Sequence, residues 1–206
     1  MKKLAILAGA LALGLGACGQ NNGLNIGQGF SIGANLSSGS VNVKVVEVRD
    51  IKTNALRGYR STYLLNEPLA TFNALPQSVG FKIQSFTVEV LDNAGVRYAA
   101  DQGKYQRSVS LVIKPGYTCA LATATIDTCA PTDKQPANVA TSLGSLTLVT
   151  DEIARTATGD CEAGTCPTLK LRVTFTGLDD AGRNQTVVSP DAVLAVRVTD
   201  ITVVKE

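Results

Sequence analysis

Five cysteines and no histidine set the chemistry open to this 206-residue chain. Without histidine, a Ser-His-Asp triad, a Cys-His pair and every imidazole-based metal site are excluded. Cys119, Cys129, Cys161 and Cys166 form an even set once Cys18 is assigned elsewhere, and in an exported chain such a set reads as disulfides. Four thiols allow three pairings. Cys119–Cys129 and Cys161–Cys166 are favoured, because "CALATATIDTC" and "CEAGTC" each close a short local loop. None of these spacings is C-x-x-C, so no metal centre is expected. No glycine-rich phosphate loop or dinucleotide fingerprint is present, so no cofactor is expected.

Two other constellations could act on a ligand. Asp92, Asp101, Asp179 and Asp180 lie at turn sequences, and two of them facing each other across a cleft would suit carboxylate-dependent hydrolysis. The simpler role for these side chains is to accept hydrogen bonds from their own turn amides. Arg57, Tyr59, Arg60 and Tyr63 cluster in "RGYRSTY", and Arg97-Tyr98 and Tyr105-Gln106-Arg107 repeat the pairing of a cation with a ring. If the loops carrying them converge, they form a patch able to stack on and hydrogen-bond a glycan or an anionic cell-wall polymer. The competing role is packing of the rings at sheet edges under the aliphatic stems of Arg and Lys.

The N-terminus supplies an address. Met1-Lys2-Lys3 is a positive head before the apolar run Leu4–Leu15, which is too short to span a bilayer as a helix. Head, run and small residues together read as a signal peptide over residues 1–17. Leu15-Gly16-Ala17-Cys18 resembles the lipobox of bacterial lipoproteins, Leu-small-small-Cys. The resemblance implies diacylglycerol on the Cys18 thiol, removal of the leader, and Cys18 as the mature N-terminus. Each buried methylene contributes about 0.8 kcal/mol, so two or more acyl chains hold a protein stably on a membrane. Gly19, where some bacteria place a retention Asp, favours the outer membrane or the cell surface. The resemblance thus implies a membrane contact through lipid on Cys18 and an envelope protein as partner.

The remaining chain must position these residues. Its net charge of +2 carries no field suited to nucleic acid. Residues 18–40, rich in Gly, Asn and Ser, read as the lipidated end and a flexible tether, reaching about 25 Å on average. Within it Phe30 and Ile32 could instead form an edge strand. From Val41 to Glu206 the pattern is that of strands. "VNVKVVEVR" alternates and then slips phase, a sign of a bulge or a change of face. "SFTVEVLDNAGVRY" reads as a hairpin with Phe86, Val88 and Val90 on one face, and "LKLRVTFTGLDDAGRNQTVV" as a second with Leu169, Leu171, Val173 and Phe175 inward. "SVSLVIK" and "LGSLTLVT" read as further strands, "APTDKQPANVATS" as an exposed connection, and "DEIART" as a single helical turn capped by Asp151. "AVLAVRVTDITVVKE" is long enough to bend and serve two sheets.

About nine short strands between turn signals, with no long helix beyond the leader, predict an all-β antiparallel sandwich over residues 41–206 with disulfide-pinned loops. The strand–Asp-x-Ala-Gly–strand pieces resemble bacterial immunoglobulin-like and fibronectin type III-like domains. The chain departs from the antibody pattern in having no Trp and in the local pairing of its cysteines. The composite expectation is a non-catalytic, lipid-anchored envelope protein with a structural or protein-interaction role; the alternative is a glycan-binding lipoprotein.

Overall fold

The computed structural model describes residues 29–98, 105–121, 123–144, 146–162 and 165–206. The signal peptide, Cys18, most of the tether and Asp101 lie outside the described residues. In chain order the strands are β1 (Ile32–Leu36), β2 (Gly39–Arg49), β3 (Leu56–Asn66), β4 (Ala70–Ala74), β5 (Phe81–Leu91), β6 (Tyr105–Ile113), β7 (Tyr117–Cys119), β8 (Lys134–Pro136) and β9 (Val139–Ser142). The α-helix α1 (Asp151–Glu162) precedes β10 (Thr168–Asp179), β11 (Asn184–Val188) and β12 (Ala192–Lys205).

The strands make an all-β sandwich. The large sheet has the order β3-β2-β12-β10-β5-β6, with β11 also paired to β10, and the small sheet has the order β1-β4-β9. Pairing is antiparallel except between β12 and β2, which run parallel. The inward faces follow the period of two that the sequence displays: Leu169, Leu171, Val173 and Phe175 on β10, and Phe86, Val88 and Val90 on β5, are all buried. Phe72 of the small sheet meets Phe175 of the large one edge to face, ring centres 4.8 Å apart. The small sheet covers only part of the large one. Over β3, β2 and β12 the cover is α1, which buries Ile153, Ala154, Ala157 and Cys161 in the same core, joined by Leu143, Leu146, Leu148 and Val149.

Several expectations are corrected. Residues 32–36 form β1 against β4, so the fold starts before Val41 and the tether is shorter than residues 18–40. The helix runs for three turns, not one, because its buried residues recur at helical spacing. Its first turn is capped by Thr150, whose hydroxyl accepts the Ile153 amide at 3.2 Å, and not by Asp151. The strand expected at 143–150 is displaced to β9; Leu148 and Val149 are buried in irregular backbone whose amides bond to the Glu67 carboxylate at 3.2 and 3.3 Å in place of a ladder partner. "RGYRSTY" is no loop but the middle of β3. The last strand stays within one sheet, bulging between Val198 and Asp200. The phase slip in β2 is present: Val41, Val43 and Val45 are buried, and burial resumes at Val48.

Two features give the domain a direction. The N-terminal segment enters beside the start of β5. There the Val79 amide donates to the Gly29 carbonyl, Phe30 packs edge-on against Phe81, and the Ser31 amide donates to the buried Ser78 hydroxyl. Gly116 closes this knot, since a Cβ on it would fall 1.8 Å from the Leu75 carbonyl oxygen. The end of β10 is at the same place, where the Asp180 carboxylate accepts the Gly80 amide at 2.7 Å. At its other end β10 pairs with β12 only as far as Thr168–Ala195. Beyond that point β12, β2 and β3 continue as a three-stranded extension to Lys205 and Arg49. Ten further residues of β12 correspond to about 33 Å. Entry and extension therefore occupy opposite ends of β10.

Candidate functional site

The cysteines pair as the short-loop argument favours. Cys119–Cys129 pins the excursion between β7 and β8, and Cys161–Cys166 staples the end of α1 to the approach of β10.

Two of the turn aspartates, Asp92 and Asp179, act on their own turn backbone. Asp92 accepts the Val96 amide, and Gly95 takes the left-handed conformation at φ +81° that its turn requires. Asp179, buried, accepts the Ala181 and Arg183 amides on Oδ1, and the Arg183 guanidinium and Gln185 amide on Oδ2. Burial on its own would raise the Asp179 pKa; these donors outweigh it and hold the carboxyl below the usual range. Asp180 is engaged with Gly80. Among the described residues no group of three or more Cys, Asp or Glu side chains is placed to hold a metal.

The eight residues of the basic–aromatic set do not meet as one surface. Arg57, Tyr59, Arg60 and Tyr63 lie on β3, while Tyr105 and Arg107 lie on β6, at the opposite edge of the large sheet. Five strand spacings separate those edges, about 24 Å measured along the sheet. Tyr59 and Arg60 are consecutive on a strand and so point to opposite faces. Arg60 forms a two-bond pair with Glu206 at 2.8 and 2.9 Å, and Arg57 bonds Asp50. The Arg107 guanidinium carbon lies 4.6 Å from the Tyr105 ring centre and the group bonds that hydroxyl; Arg97 pairs with Glu89 at 3.6 Å.

Two of the tyrosines brace the helix. Tyr63 donates to Asp151 in its first turn at 3.0 Å, and the buried Tyr98 donates to Asp160 in its last. Burial, then the Asp160 carboxylate, push the Tyr98 phenol well above its ordinary range. Glu67 is the titratable group the sequence did not single out. Burial raises its pKa against the Leu148 and Val149 amides and the charge of Arg107.

The sequence also did not reveal a depression across the face of β3, β2 and β12, nor a groove beside the outer edge of β3. This strand pairs only with β2 among the described residues. A groove of about 550 Å³ lies between it and α1, lined by Ser61, Thr62 and Tyr63 from the strand and by Arg155, Gly159 and Glu162 from the helix. Three consecutive strand residues can line one space only where it runs along the strand edge, because their side chains alternate between faces. On the other face a second depression of about 440 Å³ is lined by Asn42, Lys44, Leu64 and Arg197. Helical periodicity over residues 153–161 is the signal that could have placed α1, but no pattern in the sequence places it beside β3.

Compared with known proteins, the chain matches no family model, and no curated protein matches it in sequence.

Proposed function

We propose that this protein is a lipid-anchored, non-catalytic component of a bacterial cell envelope, held through Cys18 and presenting its sandwich as an interaction module. The observation that carries this reading is the polarity of the domain. The N-terminal segment joins at the end where β5 begins, and the three-stranded extension leaves from the opposite end. Ten residues separate Cys18 from Gly29, and an unstructured chain of that length spans about 18 Å on average. A membrane anchor at Cys18 therefore holds the entry end close to the lipid and turns the extension outward. That extension exposes Ile201 and Val203 on one face and Val204 on the other, apolar surface of the kind that marks an interaction site. The tightly tied turns and disulfides suit a rigid spacer, and the carboxylates best placed for hydrolysis are spent on backbone amides.

Mass spectrometry of the protein isolated from envelopes tests the anchor. The mature chain should begin at Cys18 with acyl chains on its thiol and new amine, and Cys18→Ala should move the protein to the soluble fraction. An unmodified Cys18 in a membrane-free, full-length product would defeat the proposal.

A further inference from the structure

The outer edge of β3 combines features that the fold itself does not use. Its outward backbone groups have no partner among the described residues, over an eleven-residue strand that is regular from Gly58 to Asn66 and bulges at Arg57. An unpaired edge of that length is a template for another strand. Arg57 and Arg60 on the strand are already engaged, with Asp50 and Glu206. The groove beside it holds two residues that are harder to account for. Gly159 sits inside α1, where glycine costs about 1 kcal/mol relative to alanine. Nothing lies within 4 Å of the place a Cβ would take, so packing does not require it. Arg155, one turn earlier on the same face of the helix, lines the groove and is exposed. It has neither an ion pair nor a hydrogen bond among the described residues. The nearby carboxylates of Asp151 and Glu162 are turned to Tyr63 and Ser61. On the opposite side of the strand edge, Lys44 is likewise without a partner among the described residues.

We propose that the free edge of β3, walled by α1, is a docking groove for an extended segment of a partner protein that presents a carboxylate to Arg155. The partner strand would add to β3 by main-chain hydrogen bonds, the mode in which an edge supplies affinity and flanking pockets supply selection. Its side chains would alternate between the groove at Arg155 and the depression at Lys44, each offering an unpaired cation. Gly159 would leave room for the incoming side chain on the helix side. The occupant is not the N-terminal segment of a chain that begins at Cys18: its ten residues before Gly29 span at most about 36 Å, too few both to reach β3 from beside the start of β5 and to pair along its eleven residues. Glu206 is not the occupant either, because it is already bonded to Arg49 and Arg60.

This rests on the interaction reading above, and the two can fail separately: loss of acylation leaves peptide binding intact, and loss of peptide binding leaves the anchor intact. The probe is a library of capped heptapeptides alternating Thr and Val, with Glu, Gln or Lys at the centre, titrated against the detergent-solubilised mature protein. Glu peptides should bind at least tenfold more tightly than Gln peptides, and Lys peptides least. Bound peptide should slow hydrogen exchange at alternate amides of residues 57–65. Arg155→Gln should remove the preference for Glu. Gly159→Leu, which raises helix propensity, should lose binding while melting no lower than the parent. Equal affinity for the three peptides, no binding by any, exchange protection elsewhere, or undiminished binding by Gly159→Leu would each overturn the proposal. So would concentration-dependent dimerisation that protects β3 without peptide, because the occupant would then be a second copy.

Discussion

Asp179 shows how one side chain can hold a turn and give stability a pH dependence. Both oxygens are fully used, each accepting two hydrogen bonds at 2.7–2.9 Å, and the carboxyl is buried. Hydrogen bonds to a buried charge contribute about 1.5–3 kcal/mol each, and the part due to Arg183 is smaller because that guanidinium is 55% exposed. The folded pKa lies below the unfolded value, so the contribution is complete above about pH 4 and is lost as pH falls through the folded value. Asp50, lowered to about 2 first by the Thr53 amide and then by Arg57, acts in the same direction. Glu67 acts in the opposite one: burial raises it, so its stabilising contribution is greatest below the unfolded value and falls as pH rises through its folded pKa. We expect Asp179→Asn to lower stability by about 2–4 kcal/mol at pH 7, since an amide cannot accept from all four donors. The difference from the parent should shrink steadily below pH 4. Urea unfolding of both proteins at pH 7, 5 and 3 measures it; a difference independent of pH would show that the charge is irrelevant.

At the scale of elements, α1 shows what the sequence hides. Its N-terminal hydrogen bond comes from Thr150, so Thr150→Ala should cost about 1 kcal/mol, as capping losses do. Asp151→Ala should leave the cap in place and lose only the exposed contact with Tyr63. Thermal unfolding of the two variants separates these roles, and a larger loss for Asp151→Ala would reverse them. The strand β10, and β5 from Phe86 to Val90, were legible because their inward residues alternate, and both turns at Asp-x-Ala-Gly are present, with Gly95 and Gly182 at positive φ. The first turn, however, leads back only to a single bridge between Leu91 and Arg97, not to the second strand of a hairpin. The disulfide pairs were legible because short loops close them. The helix was not, because Thr156, Thr158 and Gly159 lower its propensity and its stability comes from burial of Ile153, Ala154, Ala157 and Cys161. Residues 143–150 read as a strand because strand and buried coil share apolar residues; what sets them apart is the distant Glu67 taking the two amides. The candidate groove was invisible for the same reason. It needs β3 at the edge of the sheet and α1 beside it, and neither is a local property.

On the scale of the whole molecule, anchoring through Cys18, as proposed, would set orientation. The entry knot at Gly29, Ser31, Ser78 and Gly116 fixes the N-terminal segment to the end of the sandwich where β10 finishes. From there β10 rises through twelve residues, about 36 Å, and the extension continues from its far end. Strand twist shortens the total but does not reverse its direction. A lipid at Cys18 would therefore keep the loop containing Gln77 near the bilayer and carry Val203 far from it. In vesicles bearing the acylated protein, a donor dye at Gln77→Cys should transfer energy efficiently to acceptor lipids, and a dye at Val203→Cys should transfer little. Both positions are exposed, so neither label disturbs the core. Equal transfer from the two sites would mean that the tether lets the domain lie flat, and stronger transfer from Val203 would place the extension in the membrane. In either case the groove along β3 would no longer face outward, and a partner strand would have to approach along the lipid surface.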